Sequence, residues 1–236
     1  YPRLAAAGLK VGIVTFQRNG PLEAQVRAGG VDVLCLDRGR SGRVFGRDLS
    51  RFSNYVMLAL ILSDIRRLLR SGRVGVAHFF LPGAYILGGI GTILARHSNS
   101  VMSRRSLNNY QVGHPIATRI ERYLHGRMRV VTANASPAAA QLIEEGAPAD
   151  RTLVLRNGVD LNHVDSAPDR DMARSSFGLE PDELAIVIAA NLIPYKGHAD
   201  LIEALGRVGP KLSRKWILLI AGRDDGPGKA LRQRAE

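Results

Sequence analysis

Cysteine is nearly absent: Cys35 is the only one in 236 residues, so no internal disulfide framework exists and a reducing cytosol suits the chain. Cys35 sits in the apolar string Val-Leu-Cys-Leu and reads as buried filler rather than a nucleophile. Long apolar runs are also missing. The longest, Tyr55 to Leu62, is eight residues, where a bilayer span needs about 20. With no secretory leader pattern visible, a soluble, cytoplasmic protein is expected. No Gly-x-Ser-x-Gly elbow is present, which argues against a catalytic serine of that kind. The six histidines and one cysteine show no ligand spacing, so no metal and no cofactor is expected. Aromatics are only 6% of the chain and do not interleave with its arginines as in single-strand binders. No nucleic-acid motif is visible either, so no nucleic-acid partner is expected. Repeats and low-complexity segments are absent.

What remains is ordinary globular material with a one-sided charge. At 45% hydrophobic and 23% charged residues, the chain can bury one good core, or one domain and part of another. Residues 1–150 hold 20 Lys+Arg against 9 Asp+Glu, a net of +11, and residues 151–236 hold 13 against 12, a net of +1. The excess is arginine, because Lys10 is the only lysine in the first part. A one-sided excess suits an anionic partner: nucleic acid, an anionic membrane surface or a phosphorylated substrate; solvated arginine faces are the plain alternative.

Strand and helix patterns alternate almost throughout, which predicts an α/β fold with a parallel sheet. Strands are expected at Val11–Phe16, Val31–Leu36, Val74–Phe80, Val101–Ser103, Arg129–Ala133 and Leu153–Leu155. Helices are expected at Leu22–Ala28, Ser53–Ser71, Gly83–Ala95, Pro115–His125 and Pro137–Gly146. Ser53 is the expected N-cap of its helix and Gly72 the expected C′ residue. A second α/β unit follows, with a helix near Asp171–Phe177, a strand Ala185–Ala190, a helix His198–Val208, a strand Trp216–Ala221 and a last helix from Lys229. The domains are thus read as 1–156 and 170–236, joined by a polar linker over 157–169. Both ends read as cut. The opening residues look like the end of a helix whose preceding strand is missing, and the second unit stops after two strands. A fragment is therefore expected, with little or no activity of its own.

The most informative stretch is Ala185 to Leu205. The apolar run Ala185–Ala190 lacks alternation and so predicts a buried parallel strand. It leads through a polar loop carrying Lys196 and Gly197 into a helix with Leu201, Ile202, Ala204 and Leu205 on its apolar stripe. A helix start with free N–H groups and an adjacent lysine is a good way to hold a phosphate.

Together with the turn Asn157-Gly158-Val159-Asp160 about 30 residues upstream, that loop resembles retaining glycosyltransferases of family 4, which have the two-domain GT-B fold. The resemblance covers nearly the whole chain. Gly8-Leu9-Lys10-Val11 to Phe16 resembles the second strand of the acceptor domain. Val76-Ala77-His78-Phe79-Phe80 resembles the strand that members end with a Val-His pair. Ile120-Glu121-Arg122-Tyr123-Leu124 with Val130-Val131-Thr132-Ala133-Asn134 resembles the helix and strand before an Asn-Ser turn, and Glu144-Glu145-Gly146 through Asp160 resembles the approach to the linker.

The resemblance implies a Rossmann-like acceptor-side domain, the truncated start of a Rossmann-like donor domain, and transfer of a hexosyl group from a nucleotide-sugar donor with retention. The acceptor would be a glycan, lipid-linked or small molecule, in carbohydrate biosynthesis, with peripheral contact at an anionic inner leaflet in view. Lys196 matches the lysine that binds the donor diphosphate, and Gly197 the position where backbone meets phosphate. Asn191 stands where many members have a second cation, five residues before the lysine. Gly222, Arg223 and Asp224 match the glycine-rich donor loop. On the acceptor side, many members carry a histidine after the fourth strand; here Arg104 and Arg105 occupy that region and are candidate anion ligands or surface arginines. His78 either lines the cleft or is a satisfied core histidine. His198 is expected to help start its helix. Two alternatives stand beside this reading: a GT-B sugar-nucleotide epimerase, and a non-catalytic basic module for membrane or nucleic acid.

Overall fold

The computed structural model describes residues 2–16, 20–36, 50–159 and 161–235. Asp160 lies outside them. The chain divides into two compact units, Tyr1–Gly158 and Val159–Glu236.

The first unit begins with a short helix α1 (Pro2–Ala6) and the β-α-β piece β1 (Gly12–Thr15), α2 (Glu23–Ala28) and β2 (Asp32–Cys35). Strands β1 and β2 pair in parallel, Gly12 against Asp32 through Thr15 against Cys35. Helix α3 (Ser50–Arg70) then leads to β3 (Ala77–Phe80), α4 (Pro82–Ala95), β4 (Ser100–Arg104), α5 (Pro115–His125), β5 (Val130–Ala133), α6 (Ser136–Glu144) and β6 (Thr152–Val154). The last four strands form a parallel sheet in the order β3-β4-β5-β6. Each connection is a helix, as parallel neighbours require. Proline opens α4, α5 and α6, where its missing N–H costs nothing.

Sheet and helices close around Tyr85, Met102, Leu124, Met128, Val131 and Leu142. A second cluster joins Leu36, Ile65, Leu69 and Ala77, with Phe16 and Phe79 packed on it. Helix α4 runs through both regions because its glycines present no side chain. A Cβ on Gly88 would strike the Phe79 ring, one on Gly91 the Ile65 side chain, and one on Gly89 would sit 2.7 Å from Leu124 Cδ1.

The second unit comprises α7 (Leu161–Asp165), α8 (Arg170–Ser176), β7 (Leu184–Ala189), a 3-10 turn at Pro194–Lys196, α9 (His198–Val208), β8 (Trp216–Ala221) and α10 (Gly228–Ala235). The Asp169 carboxylate caps α8 by accepting from the Met172 N–H at 2.8 Å. Strands β7 and β8 pair in parallel from Leu184 against Trp216 to Ala189 against Ala221. Among the described residues no helix is long and apolar enough to cross a membrane.

Three expectations need correction. Helix α3 starts at Ser50, so Ser53 lies inside it and is not its N-cap; serine is tolerated within a helix at small cost. Gly72, by contrast, takes the left-handed conformation of a C′ residue, φ 71°. Strand β3 starts at Ala77 instead of Val74, because its partner β4 begins only at Ser100. Strand β7 is not buried: no residue in it or in β8 is fully covered, and Val187 is 61% exposed. With only these two strands in the sheet of this unit, part of its apolar surface has no covering layer.

Candidate functional site

Register brings the carboxyl ends of the four-stranded sheet level with one another: Phe80 pairs with Ser103, Ser103 with Thr132, and Ala133 with Val154. At that edge an open cleft of about 170 Å³ is lined by His78, Ser103, Arg104, Arg105, Thr132, Asn134, Arg156 and Asn157 among others. Open parallel sheets bind ligands at this end. Its floor is a relay across three strands. Thr132 Oγ1 donates to the Met102 carbonyl at 3.3 Å, Ser103 Oγ lies 2.5 Å from Thr132 Oγ1, and His78 Nε2 lies 2.6 Å from Ser103 Oγ. With each hydroxyl donating once, Ser103 donates to Thr132 and accepts from a protonated His78 Nε2. Partial burial holds the His78 pKa below its ordinary value, so the ring is neutral near pH 7. On the rim, Arg105 Nη2 donates to Asn157 Oδ1 at 2.6 Å and Asn134 Nδ2 donates to the Arg105 carbonyl at 3.3 Å.

Arg104 faces the other way. It is only 5% exposed and grips Glu145 with both arms, at 2.7 and 2.8 Å, while Nη2 also reaches Glu121 at 3.1 Å. Asn108 Nδ2 donates to Glu145 at 2.8 Å, and Gln111 Nε2 to Glu121 at 3.0 Å and Glu145 at 3.3 Å. His125 Nε2 lies 3.3 Å from Glu145, and Tyr85 Oη 2.9 Å from His125 Nδ1. Burial pushes the Glu145 carboxyl up, but the guanidinium of Arg104 and the Asn108 and His125 hydrogen bonds outweigh it and hold the pKa at about 2. Burial brings His125 down to about 4, against the raising effect of its bond to Glu145. A neutral His125 must then carry its proton on Nε2 to serve Glu145, leaving Nδ1 to accept from Tyr85. Glu121, His125 and Glu145 converge closely enough to hold a metal ion. The positive charge between the carboxylates is supplied by Arg104, so the cluster fits an ion-pair network better than a metal centre.

In the second unit the loops after β7 and β8 run side by side. Leu192 pairs with Asp224, and Asn191 Oδ1 accepts from the Arg223 N–H at 3.2 Å. Gly222 permits this contact, since a Cβ there would collide with the Ala190 carbonyl. Asp224 Oδ1 accepts from the N–H groups of Gly226 and Gly228 at 2.8 and 3.0 Å, ordering the turn into α10. Arg223 is exposed and paired with Asp225 at 2.6 and 3.1 Å. Lys196 is exposed, with Nζ 5.0 Å from the Tyr195 ring centre. Gly197 takes φ 78°, and no side chain caps the start of α9. His198 is the first residue of α9, as expected, and is 2% exposed.

Residues 2–163, well over half of the chain, match glycosyltransferase family 4. The chain belongs to that family. It is 26% identical over 248 residues to a D-inositol 3-phosphate glycosyltransferase of Streptomyces bingchenggensis (strain BCW-1), a match covering 98% of this chain and 53% of that protein. The chain thus spans about half the length of the curated relative it matches. Among solved structures it resembles Anabaena HepE in complex with UDP and glucose, at 20% identity and TM-score 0.68 over 94% of this chain and 57% of that one. It also resembles sucrose-phosphate synthase from Thermosynechococcus elongatus, at 19% and 0.69 over 98% and 59%. A UDP-GlcNAc 2-epimerase from Neisseria meningitidis bound to UDP-GlcNAc matches at 13% and 0.55 over 96% and 60%. These likenesses establish the α/β, GT-B type of fold.

In this family 4 chain the expected site residues fall into two sets. His78 and Arg105 meet at the cleft of the first unit, whereas Arg104, expected beside them as an anion ligand, turns its guanidinium into the fold to Glu145 and Glu121; Asn191, Lys196, Gly197, Gly222, Arg223 and Asp224 sit on the paired loops of the second. Sequence reading passed over the network around Arg104. One signal for it existed: Ala117, Glu121 and His125 recur every four residues on α5, so two polar side chains lie on one row of the helix, beside the buried Leu124. The partner Glu145 lies 41 positions from Arg104, and no local pattern joins them.

Proposed function

We propose that this chain forms the acceptor-side unit and part of the donor-side unit of a nucleotide-sugar-dependent glycosyltransferase acting with retention. Membership of family 4 carries the reading. In the second unit, Lys196, the left-handed Gly197 and the uncapped start of α9 make an anion-binding corner that suits the leaving diphosphate. A cation and free N–H groups there stabilise the charge that develops as the glycosidic bond to phosphate breaks. No metal is required in this scheme. Asn191 keeps the Arg223 backbone in place and retains its amide N–H₂ as a donor. Gly222 and Asp224 shape the loop, and Arg223 reaches a donor phosphate only by leaving Asp225. The acceptor enters at the cleft of the first unit, near His78 and Arg105, while Arg104 supports that edge from below.

The complexes of related folds with UDP and UDP-sugars make UDP the first nucleotide to test. Titration with UDP should give saturable binding that weakens by about tenfold or more in Lys196→Ala, the scale of one charge-assisted contact. Undiminished binding in that variant would remove Lys196 from the site. An epimerase of the same fold is the second reading, favoured by epimerase likenesses at lower TM-scores. In the longer protein that contains this chain, UDP released in step with a glycosylated acceptor supports transfer. A C2-epimerised UDP-sugar with no acceptor product supports the alternative. Peripheral contact with an anionic membrane belongs to the same proposal and rests on the arginine excess of residues 1–150.

A further inference from the structure

Residues 65–143 hold 11 arginines and a single acidic residue, Glu121. That glutamate is buried and answered by Arg104, so the segment presents cations to solvent without counter-charges of its own. Helix α5 gathers three of them beside apolar groups. Ile116, Arg119, Arg122 and Tyr123 are exposed along one face of it, and Arg127, just past its end, extends that face. Glu121, Leu124 and His125 on the opposite side are buried. Val112, in the turn before the helix, is 83% exposed and Ile116 is 74% exposed. Arg119 and Arg122 have no acidic partner among the described residues. The Arg127 guanidinium lies 3.4 Å over the Tyr123 ring and donates to the Tyr123 carbonyl at 2.9 Å. Helix α4 and the turn Asn108–Gln111, which pack against α5, hold no acidic residue.

Charge alone would suit any polyanion, but an exposed valine and isoleucine call for an apolar layer, which a nucleic-acid backbone does not offer. A bilayer offers both, with lipid phosphates above hydrocarbon. Arginine stems lie along apolar surface while their heads reach phosphate, and tyrosine settles at headgroup level. Helix α5 follows the loop that leaves the carboxyl end of β4, so its start borders the edge that carries the cleft. We propose that the exposed face of α5 and the turn before it dock on an anionic bilayer. Val112 and Ile116 enter the headgroup boundary, and Arg119, Arg122 and Arg127 meet lipid phosphates. The inference rests on the membrane contact already proposed for this chain and gives that contact a surface.

Flotation with vesicles of phosphatidylcholine and phosphatidylglycerol, against phosphatidylcholine alone, tests it at about 0.15 M salt. Binding is expected to the mixed vesicles and to be far weaker to phosphatidylcholine. Arg119→Gln/Arg122→Gln should weaken it about thirtyfold, from about 1 kcal/mol per basic residue at the surface. Val112→Ser/Ile116→Ser should weaken it at least about tenfold, as loss of inserted apolar side chains requires. Arg67→Gln/Arg70→Gln removes the same charge from α3 and should cost less than about threefold, since charges beyond about 8 Å are largely screened. Equal losses from the two arginine pairs overturn this surface and leave membrane contact itself standing. Absence of vesicle binding overturns both, while UDP binding at Lys196 tests the glycosyltransferase reading separately. Double-stranded DNA bound through Arg119 and Arg122, with vesicles ignored, would reassign the face to a polyanion. Self-association that Val112→Ser/Ile116→Ser reverses, again without vesicle binding, would reassign it to a second copy of the chain. The wild type gives a reading free of any folding defect in the variants. Spin-labelled lipid in the mixed vesicles should broaden the amides of Gly113, Ile116, Arg119 and Tyr123 more than those of Arg67 and Arg70, and uniform broadening overturns the assignment.

Discussion

Arg104→Met separates a structural arginine from a ligand arginine. Methionine keeps much of the length and apolar stem while removing the N–H contacts to Glu145 and Glu121 at 2.7, 2.8 and 3.1 Å. The carboxylates left behind are 5% and 1% exposed. Glu145 retains donors from Asn108, Gln111 and His125, and Glu121 retains Gln111, so the loss is less than the full desolvation of two charges. Removing one partner of a buried ion pair typically costs about 3–5 kcal/mol. At about 2–4 °C per kcal/mol for a domain of this size, the melting temperature should fall by roughly 10 °C. Thermal unfolding followed by circular dichroism at pH 7 measures that shift, and urea unfolding the free-energy loss. The deficit should also shrink as pH falls below 4.5, where the wild type loses the stability that the Arg104 guanidinium gives the Glu145 carboxylate and the variant has none of it to lose. Arg104→Lys should recover only part of the loss, since one ammonium cannot fork across two oxygens. A loss under about 1 kcal/mol, well below the cost of breaking a buried pair, would refute the structural role.

Two further outcomes follow from the same geometry. His125 is held at about 4 against an ordinary 6.5, so the unfolded chain takes up its proton first and stability drains as pH falls from 6.5 to 4. The loss is about 3 kcal/mol, taking about 1.4 kcal/mol per pH unit. Glu145, held at about 2 against 4.5, adds its loss only below 4.5. His125→Gln should remove the upper window, and an unchanged slope between pH 6.5 and 4.5 would contradict it. Gly222→Ala places a Cβ against the Ala190 carbonyl, which cannot yield as a flexible side chain does. It should cost the second unit about 1–3 kcal/mol and break the Arg223 to Asn191 hydrogen bond, read as faster amide exchange at Arg223; wild-type exchange would contradict it.

The fold was legible where local signals agree. Helix α5 spans the predicted Pro115–His125 because proline starts it and Gly126 follows it, and α9 and β8 also match residue for residue. Strand Ala185–Ala190 shows the limit of such signals. Its apolar run correctly reads as parallel strand, but burial depends on what lies over it, which no local run encodes. Ser53 carried the chemistry of an N-cap, yet the helix extends past it to Ser50, since cap residues also fit helix interiors. The loops of the second unit were legible as motifs. Their mutual contact was not, because Asn191 and Arg223 are 32 positions apart.

Arg104 and Arg105 show what sequence could have supplied and what it could not. Successive residues of a strand point to opposite sides, so two arginines at the end of β4 cannot share one environment. One must face the helix layer and the other the solvent edge. Which faces which follows from the partners: Glu121 and Glu145 arrive from α5 and from the end of α6, and only Arg104 reaches them. The consequence is a division of labour between neighbours. Changes at Arg104 act on the fold, whereas changes at the exposed Arg105 act on the cleft at little cost in stability. The charge at the cleft can therefore vary through Arg105 and Arg156 while the network beneath stays constant.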